Sequence, residues 1–97
     1  MRIIAKRTLK EFWENHPDAE EALKAWYDEA IKANWKTFNE IKAEYRTASI
    51  LGNDRVVFNI KGNHYRLIIL ILFAKSKIFI RFVGTHAEYD RVDSKNI

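Results

Sequence analysis

The sequence contains no cysteine, which excludes disulfides, thiolate metal sites and thiol nucleophiles at once. Proline occurs once and glycine three times. Nothing resembles a glycine-rich phosphate loop, a dinucleotide fingerprint or a serine elbow. The longest apolar run, Leu67 to Ala74, falls far below the roughly 20 residues that a bilayer-spanning helix needs. The opening Ile3-Ile4-Ala5 is too short for the core of a signal peptide. The expectation is a soluble, cytoplasmic chain with no membrane association. The three histidines, at 16, 64 and 86, are dispersed and lack a carboxylate cluster, so neither a metal site nor a cofactor is expected.

What the sequence does contain is an ordinary globular balance, 47% hydrophobic and 31% charged over 97 residues. That length supports one modest core, so residues 1–97 read as a single domain. The net charge of +4 is unevenly spread. Residues 1–45 carry eight Lys/Arg against nine Asp/Glu, whereas residues 46–97 carry nine against four. A lopsided basic half is a footprint of a polyanion partner, although surplus lysines also serve solubility.

The hydrophobic period changes along the chain from helical to alternating. Residues 2–5 read as a short strand. Thr8-x-x-Glu11 predicts a capping box opening a first helix with Leu9, Phe12 and Trp13 as its buried stripe. This helix should stop near Asn15-His16, with His16 a boundary residue and Pro17 in the first turn of the next helix. In that helix Ala19, Ala22/Leu23, Trp26/Tyr27 and Ala30/Ile31 recur at helical spacing, opposite a solvated charged side. Thr37-x-x-Glu40 predicts a short third helix over 38–44. From Ser49 the pattern is β: a strand 55–60, a turn at Lys61-Gly62-Asn63, a central strand 65–73, and a last strand 77–83. Thr85-x-x-Glu88 signals a final helical turn. This order predicts an α+β fold with a mostly antiparallel sheet and helices packed on one face.

Polar residues that interrupt the apolar strands are the places to look for chemistry: Asn59, Lys61, Arg66 and Arg81. Alternation puts Arg66 on the side of Ile68, Leu70 and Leu72, and Arg81 on the side of Phe79 and Val83. Arginines at such positions face water, pair with an acid such as Asp54 or Glu88, or hold phosphate, which a guanidinium does bidentately. His86 opens the last helical turn, with Tyr89 and Asp90 three and four residues on, so the three can share a face. An imidazole within reach of a carboxylate is suited to proton transfer, although a histidine on a surface helix is also commonly structural. His64, beside the Gly62-Asn63 turn, is a second titratable candidate. Most aromatic residues sit at core periods and read as core, not as a base-stacking platform.

The segments RIIAKRTLKEFWE, HPDAEEALKAWYDEA, VFNIKGN (57–63), YRL (65–67) and IRFVGTHAEYD (80–90) follow one another in an order and spacing that resemble the HigB toxin family. That resemblance covers most of the chain and implies a RelE-like fold. It also implies a toxin of a type II toxin–antitoxin pair that cleaves mRNA on the translating ribosome. A cognate helix-turn-helix antitoxin of the HigA type would hold it in a hetero-oligomer. Cleavage in such toxins proceeds by attack of the ribose 2′-hydroxyl on the adjacent phosphate and asks for no metal. On that footing Arg66 and Arg81 would stabilise the phosphate, His86 would act as acid or base, Tyr89 would stack or donate, and Asp90 would orient His86. Lys61, Asn59, Asn63, His64 and Arg55 would complete the RNA-contacting set. Two other readings stay open: a non-catalytic RNA- or ribosome-binding module, and a toxin of this fold acting on another target such as gyrase. One departure stands out. LIILILFAKSKIFI (67–80) is more apolar than a two-strand hairpin of this family should be, which suits either a binding surface or core.

Overall fold

The computed structural model describes all 97 residues. Strand β1 (Arg2–Ile4) is followed by helices α1 (Lys6–Asn15), α2 (Glu20–Lys32) and α3 (Phe38–Glu44), then by strands β2 (Ser49–Ile50), β3 (Arg55–Ile60), β4 (Tyr65–Leu72) and β5 (Lys77–Thr85), and by a final turn of helix, α4 (His86–Tyr89). The five strands form one sheet in the order β1-β5-β4-β3-β2, with β4 central. Every pairing is antiparallel except β1 with β5, where Arg2 to Ile4 run parallel to Lys77 to Phe79. The fold is α+β, as the change of hydrophobic period predicts.

One face of the sheet carries the helices. Val56, Phe58 and Ile60 of β3 alternate onto this face, as do Leu67, Ile69 and Ile71 of β4 and Ile78 and Ile80 of β5. They meet Leu9 and Trp13 of α1, Leu23, Trp26 and Ala30 of α2, and Ile41 of α3 in one core. Trp26 meets Phe58 edge-on at 5.4 Å, a geometry that the ring quadrupoles favour. Much of the apolar 67–80 hairpin is therefore interior: Leu67, Ile69, Ile71 and Ile78 are buried against the helices, and Ile68 is buried on the opposite side. Helix α2 buries Leu23, Trp26 and Ala30 but leaves Ile31 exposed, so the apolar stripe is narrower than its spacing suggested.

Local signals played out unevenly. Helix α3 spans 38–44 and is capped by the Thr37 hydroxyl, which accepts from the Glu40 amide. Thr8 does not cap α1. The helix begins at Lys6 with Ala5 at its cap and no side-chain bond there. Glu11 instead accepts from Arg7 Nε at 2.8 Å. The chain becomes helical as soon as β1 has paired with β5, three residues sooner than the Thr-x-x-Glu pattern implied. Strand β4 stops at Leu72, and Phe73 opens a 3₁₀ turn instead, its ring against Phe38.

The largest correction concerns Arg81. Cross-strand partners share a face. Ile69 pairs with Ile80 but Ile68 pairs with Phe82, so Arg81 is an unpaired extra residue, a β-bulge. Phe79 consequently shares the open face with Leu70, and Val83 shares the helical face with Leu67. Arg81 does not lie in line with both, as strict alternation predicts. Strand β5 continues to Thr85, two residues beyond the expected end.

The second face is covered by α4 beside Arg66 and by the segment that follows α4. Asn53 Nδ2 donates to the Lys95 carbonyl and to Asn96 Oδ1, both at 3.2 Å. Arg55 donates to the Ile97 main-chain oxygen. Val57 and Ile68 alternate onto this face and are buried there.

Candidate nucleic-acid site

Arg66 is the second residue of β4 and pairs across the sheet with Asn59 on one side and Gly84 on the other. Its guanidinium is the hub of a small cluster. Nη1 donates to Asn63 Oδ1 at 2.5 Å, and Nη2 lies 2.9 Å from His86 Nε2. The guanidinium carbon sits 5.7 Å from the centre of the Tyr89 ring, within cation–π range. On the far side of the imidazole, Nδ1 is 3.5 Å from an Asp90 carboxylate oxygen. The i, i+3, i+4 spacing of His86, Tyr89 and Asp90 thus puts all three on one side of α4, beside Arg66.

The chemistry of the partners orients the imidazole. A guanidinium can only donate, so the contact with Arg66 asks His86 Nε2 to accept, while Nδ1 is the ring nitrogen that faces Asp90. The cluster is open to solvent: His86 and Asp90 side chains are 48% and 64% exposed.

Helix α4 is held in place by the capping box at Thr85. The Thr85 hydroxyl accepts from the Glu88 amide, and the Glu88 carboxylate accepts from the Thr85 amide at 2.8 Å. That backbone bond is the main reason the Glu88 carboxyl is held below the usual 4.5. A lowered carboxyl stabilises the fold at pH above its unfolded value, and the contribution is lost as pH falls through the folded value. Protection of the Thr85 amide from hydrogen exchange is therefore expected to decline on acidification below 4.5, and Glu88→Gln is expected to remove that dependence. Thr85→Ala should cost about 1 kcal/mol, the ordinary value of a lost cap, measured as a shift in denaturant midpoint.

The remaining candidates lie elsewhere. Lys61 is paired with Asp18 at 3.0 Å. Asp18 also accepts from the buried Tyr65 hydroxyl at 2.6 Å. Those two donors, Tyr65 first, hold the Asp18 carboxyl below its ordinary value, and the same bond pushes the Tyr65 phenol up. Lys61 is thus engaged at the α1–α2 junction, on the helical side, where its pull on phosphate competes with an acid. Exposed pairs of this kind contribute little, so Lys61→Ala should shift the unfolding midpoint little. His64 Nδ1 lies 2.9 Å from the Lys61 carbonyl. Asn59 donates to the Thr47 carbonyl at 3.2 Å. Arg55 and Arg81 are together, but apart from His86: both donate to the Ile97 oxygen. Asn63, named from the turn it occupies, proves to be the residue that orients Arg66. Gly84 went unnoticed as a site residue, although its place just before the Thr85 box was the available signal. A Cβ there would lie 2.5 Å from Phe82 Cζ and 3.0 Å from Glu88 Oε1, so only glycine lets α4 seat this closely.

A conserved-family model, described as HigB_toxin, the RelE-like toxic component of a toxin-antitoxin system, matches residues 19–92. The chain belongs to the HigB toxin family. Among relatives, the mRNA interferase toxin HigB of Escherichia coli (strain K12) is 30% identical over 92 residues, 93% of this chain and 88% of that protein. The mRNA interferase HigB of Shigella flexneri matches to the same extent. That of Escherichia coli O6:H1 is 27% identical over 94 residues, 95% of this chain and 91% of its own. The family match takes in every member of the Arg66–His86 cluster and stops before Asp93. As the toxic member of a toxin–antitoxin pair, this HigB-family chain has an antitoxin partner. No helix is long and apolar enough to cross a membrane.

Proposed function

We propose that this toxin is an mRNA endonuclease acting on the translating ribosome, and that the Asn63–Arg66–His86–Tyr89–Asp90 cluster is its catalytic centre. The observation that carries this reading is the 2.9 Å contact between the Arg66 guanidinium and His86 Nε2 on an exposed surface. When a phosphate draws Arg66 away, the same motion frees Nε2 as a base.

In the proposed step, His86 Nε2 takes the proton of the ribose 2′-hydroxyl while the 2′-oxygen forms its bond to the adjacent phosphorus. The bond from phosphorus to the 5′-oxygen breaks, and that oxygen leaves with one proton. The products are a 2′,3′-cyclic phosphate and a 5′-hydroxyl end. One proton moves from 2′-oxygen to 5′-oxygen overall, so no other reactant is required. Arg66 donates to the phosphate oxygens as charge builds on them, the kind of preorganised donor that contributes most to such reactions. Asp90 keeps the imidazole hydrogen on Nδ1, and Tyr89 supplies a ring face for a base and a hydroxyl near the leaving oxygen. The basic C-terminal half provides non-specific attraction to RNA.

The antitoxin we expect is of the HigA type, with a helix-turn-helix domain. Incubating the purified toxin with ribosomes translating a defined mRNA, and mapping the 5′ ends produced, tests the activity. New 5′-hydroxyl ends within the coding region are expected, absent when the antitoxin is present. Growth arrest without such ends would point instead to a binding module or another target.

A further inference from the structure

One carboxylate brackets the turn that carries Asn63. Asp18 stands in the 3₁₀ turn Pro17–Ala19 that joins α1 to α2. Its Oδ1 accepts from the Tyr65 hydroxyl at 2.6 Å and its Oδ2 from Lys61 Nζ at 3.0 Å. Lys61 directly follows β3 and Tyr65 opens β4, so the two oxygens hold both ends of the β3–β4 connection. Between those ends lie Gly62, Asn63 and His64, all exposed. Asn63 is the residue whose Oδ1 accepts from Arg66 Nη1.

This connection has little else to fix it. Lys61 and Gly62 both take a left-handed backbone, with φ of 52° and 64°. Glycine adopts that conformation freely, whereas the Cβ of a lysine crowds the backbone there. The His64 amide donates to the Lys61 carbonyl at 3.2 Å and His64 Nδ1 lies 2.9 Å from the same oxygen, which closes the turn on itself. Of the side-chain bonds made by residues 61–64, only that of Lys61 to Asp18 leaves the hairpin. The Tyr65 end, by contrast, is firm. Its ring meets Phe12 and His16 edge-on at 5.3 and 5.6 Å, and those two rings stack at 4.2 Å. Asp18 therefore ties a soft turn to a rigid reference, one residue before Arg66.

We propose that Asp18 is a positioning residue for the Arg66–His86 cluster. By holding Lys61 and Tyr65 together it sets the place of Asn63, and Asn63 keeps the Arg66 guanidinium at His86. This rests on the reading of that cluster as the catalytic centre. Asp18 makes no hydrogen bond to the cluster itself, so its influence passes through the turn. An exposed pair such as Asp18–Lys61 adds little stability, but a turn with so few restraints is placed by a small force.

The test is a double-mutant cycle with Asn63→Ala, read as cleavage kinetics on ribosomes translating a defined mRNA. Asp18→Ala is expected to lower kcat about tenfold, short of the roughly hundredfold that a 1 Å displacement can cost. KM should hold nearly constant, because Asp18 meets no substrate. Asn63→Ala removes the link, so Asp18→Ala/Asn63→Ala should be no slower than Asn63→Ala alone, whereas independent effects would multiply. Tyr65→Phe keeps the ring and loses one of the two bonds. Its smaller fall should likewise vanish in the Asn63→Ala background, and it carries the cycle should Asp18→Ala not fold. A second readout needs no ribosome: the imidazole ¹H–¹⁵N signals of His86 in the ¹⁵N-histidine-labelled toxin. They should shift in Asp18→Ala, and Asp18→Ala/Asn63→Ala should match Asn63→Ala. Unmoved His86 signals in a folded Asp18→Ala protein overturn the proposal, as do falls in kcat that multiply. Faster cleavage by Asp18→Ala overturns it too, and would mean that Asp18 only withholds Lys61 from RNA. Shifted His86 signals in a chain that cuts no mRNA uphold the linkage and defeat only the reading of the cluster as catalytic.

Discussion

His86→Ala is expected to lower the rate of mRNA cleavage by about 10²–10⁴, the range for losing a general acid–base group, and to let cells grow under induction. The side chain is half exposed and contributes no core contact. Its removal should leave the unfolding midpoint within about 0.5 kcal/mol of the unaltered chain, as for other surface changes. Arg66→Lys is the companion experiment. Lysine keeps the charge but loses the planar fork that reaches Asn63, His86 and the Tyr89 ring together. A fall of about 10²–10³ is expected from the loss of one preorganised donor. The split between parameters is diagnostic: His86→Ala should act on kcat at nearly constant KM, because the imidazole meets the 2′-hydroxyl in the reaction and holds no phosphate beforehand. A folded His86→Ala protein that still arrests growth and cuts mRNA at the normal rate would remove the cluster from the chemistry.

Gly84→Val is expected to cost about 3 kcal/mol, the upper part of the range for overpacking a closed site, and to inactivate the toxin without touching a catalytic atom. The first carbon of the new side chain would sit 2.5 Å from Phe82 Cζ. Phe82 cannot yield freely, since its partner across the sheet is the buried Ile68. The other neighbour, Glu88 Oε1, is the arm of the capping box that seats α4. Relief by moving α4 takes His86 away from Arg66. Chemical denaturation should therefore show a lowered midpoint, and cleavage should fall further than the remaining folded fraction explains. Normal stability with normal cleavage would show that α4 is not seated on Gly84.

Much of this was legible in the sequence because periodicity reports burial directly. Val56, Phe58 and Ile60 alternate, and Leu23, Trp26 and Ala30 recur at helical spacing, since each set faces one core. The i, i+3, i+4 grouping of His86, Tyr89 and Asp90 was readable for the same reason, given the Thr85–Glu88 box. The bulge at Arg81 was not. Phenylalanine stands at both 79 and 82, so an apolar pattern survives either register, and the slip of one residue leaves no trace in composition. Nor could spacing reveal long-range partners. Asp18 with Lys61, and Arg55 with Ile97, lie 43 and 42 residues apart. Such pairs depend on which strands adjoin and on where a tail returns, and that is settled by packing. The Thr8 box failed for a local reason: the Leu9–Trp13 stripe and the short β1 determine where α1 starts, and the hydroxyl then finds itself inside the first turn.

The pairing of β1 with β5 bears on how the toxin comes into being. These two strands are the first and the last of the sheet in chain order, and Arg2 meets Lys77. Contacts of such high sequence separation slow folding, because a long loop must close before the contact rewards it. The helices emerge early from the ribosome but have nothing to lie on until β3, β4 and β5 follow. A nascent chain lacking residues 77–89 has an unclosed sheet and no His86. On the role proposed for His86, synthesis of this protein delivers its toxicity in one late step, and the folded product, not a growing fragment, is what an antitoxin has to catch.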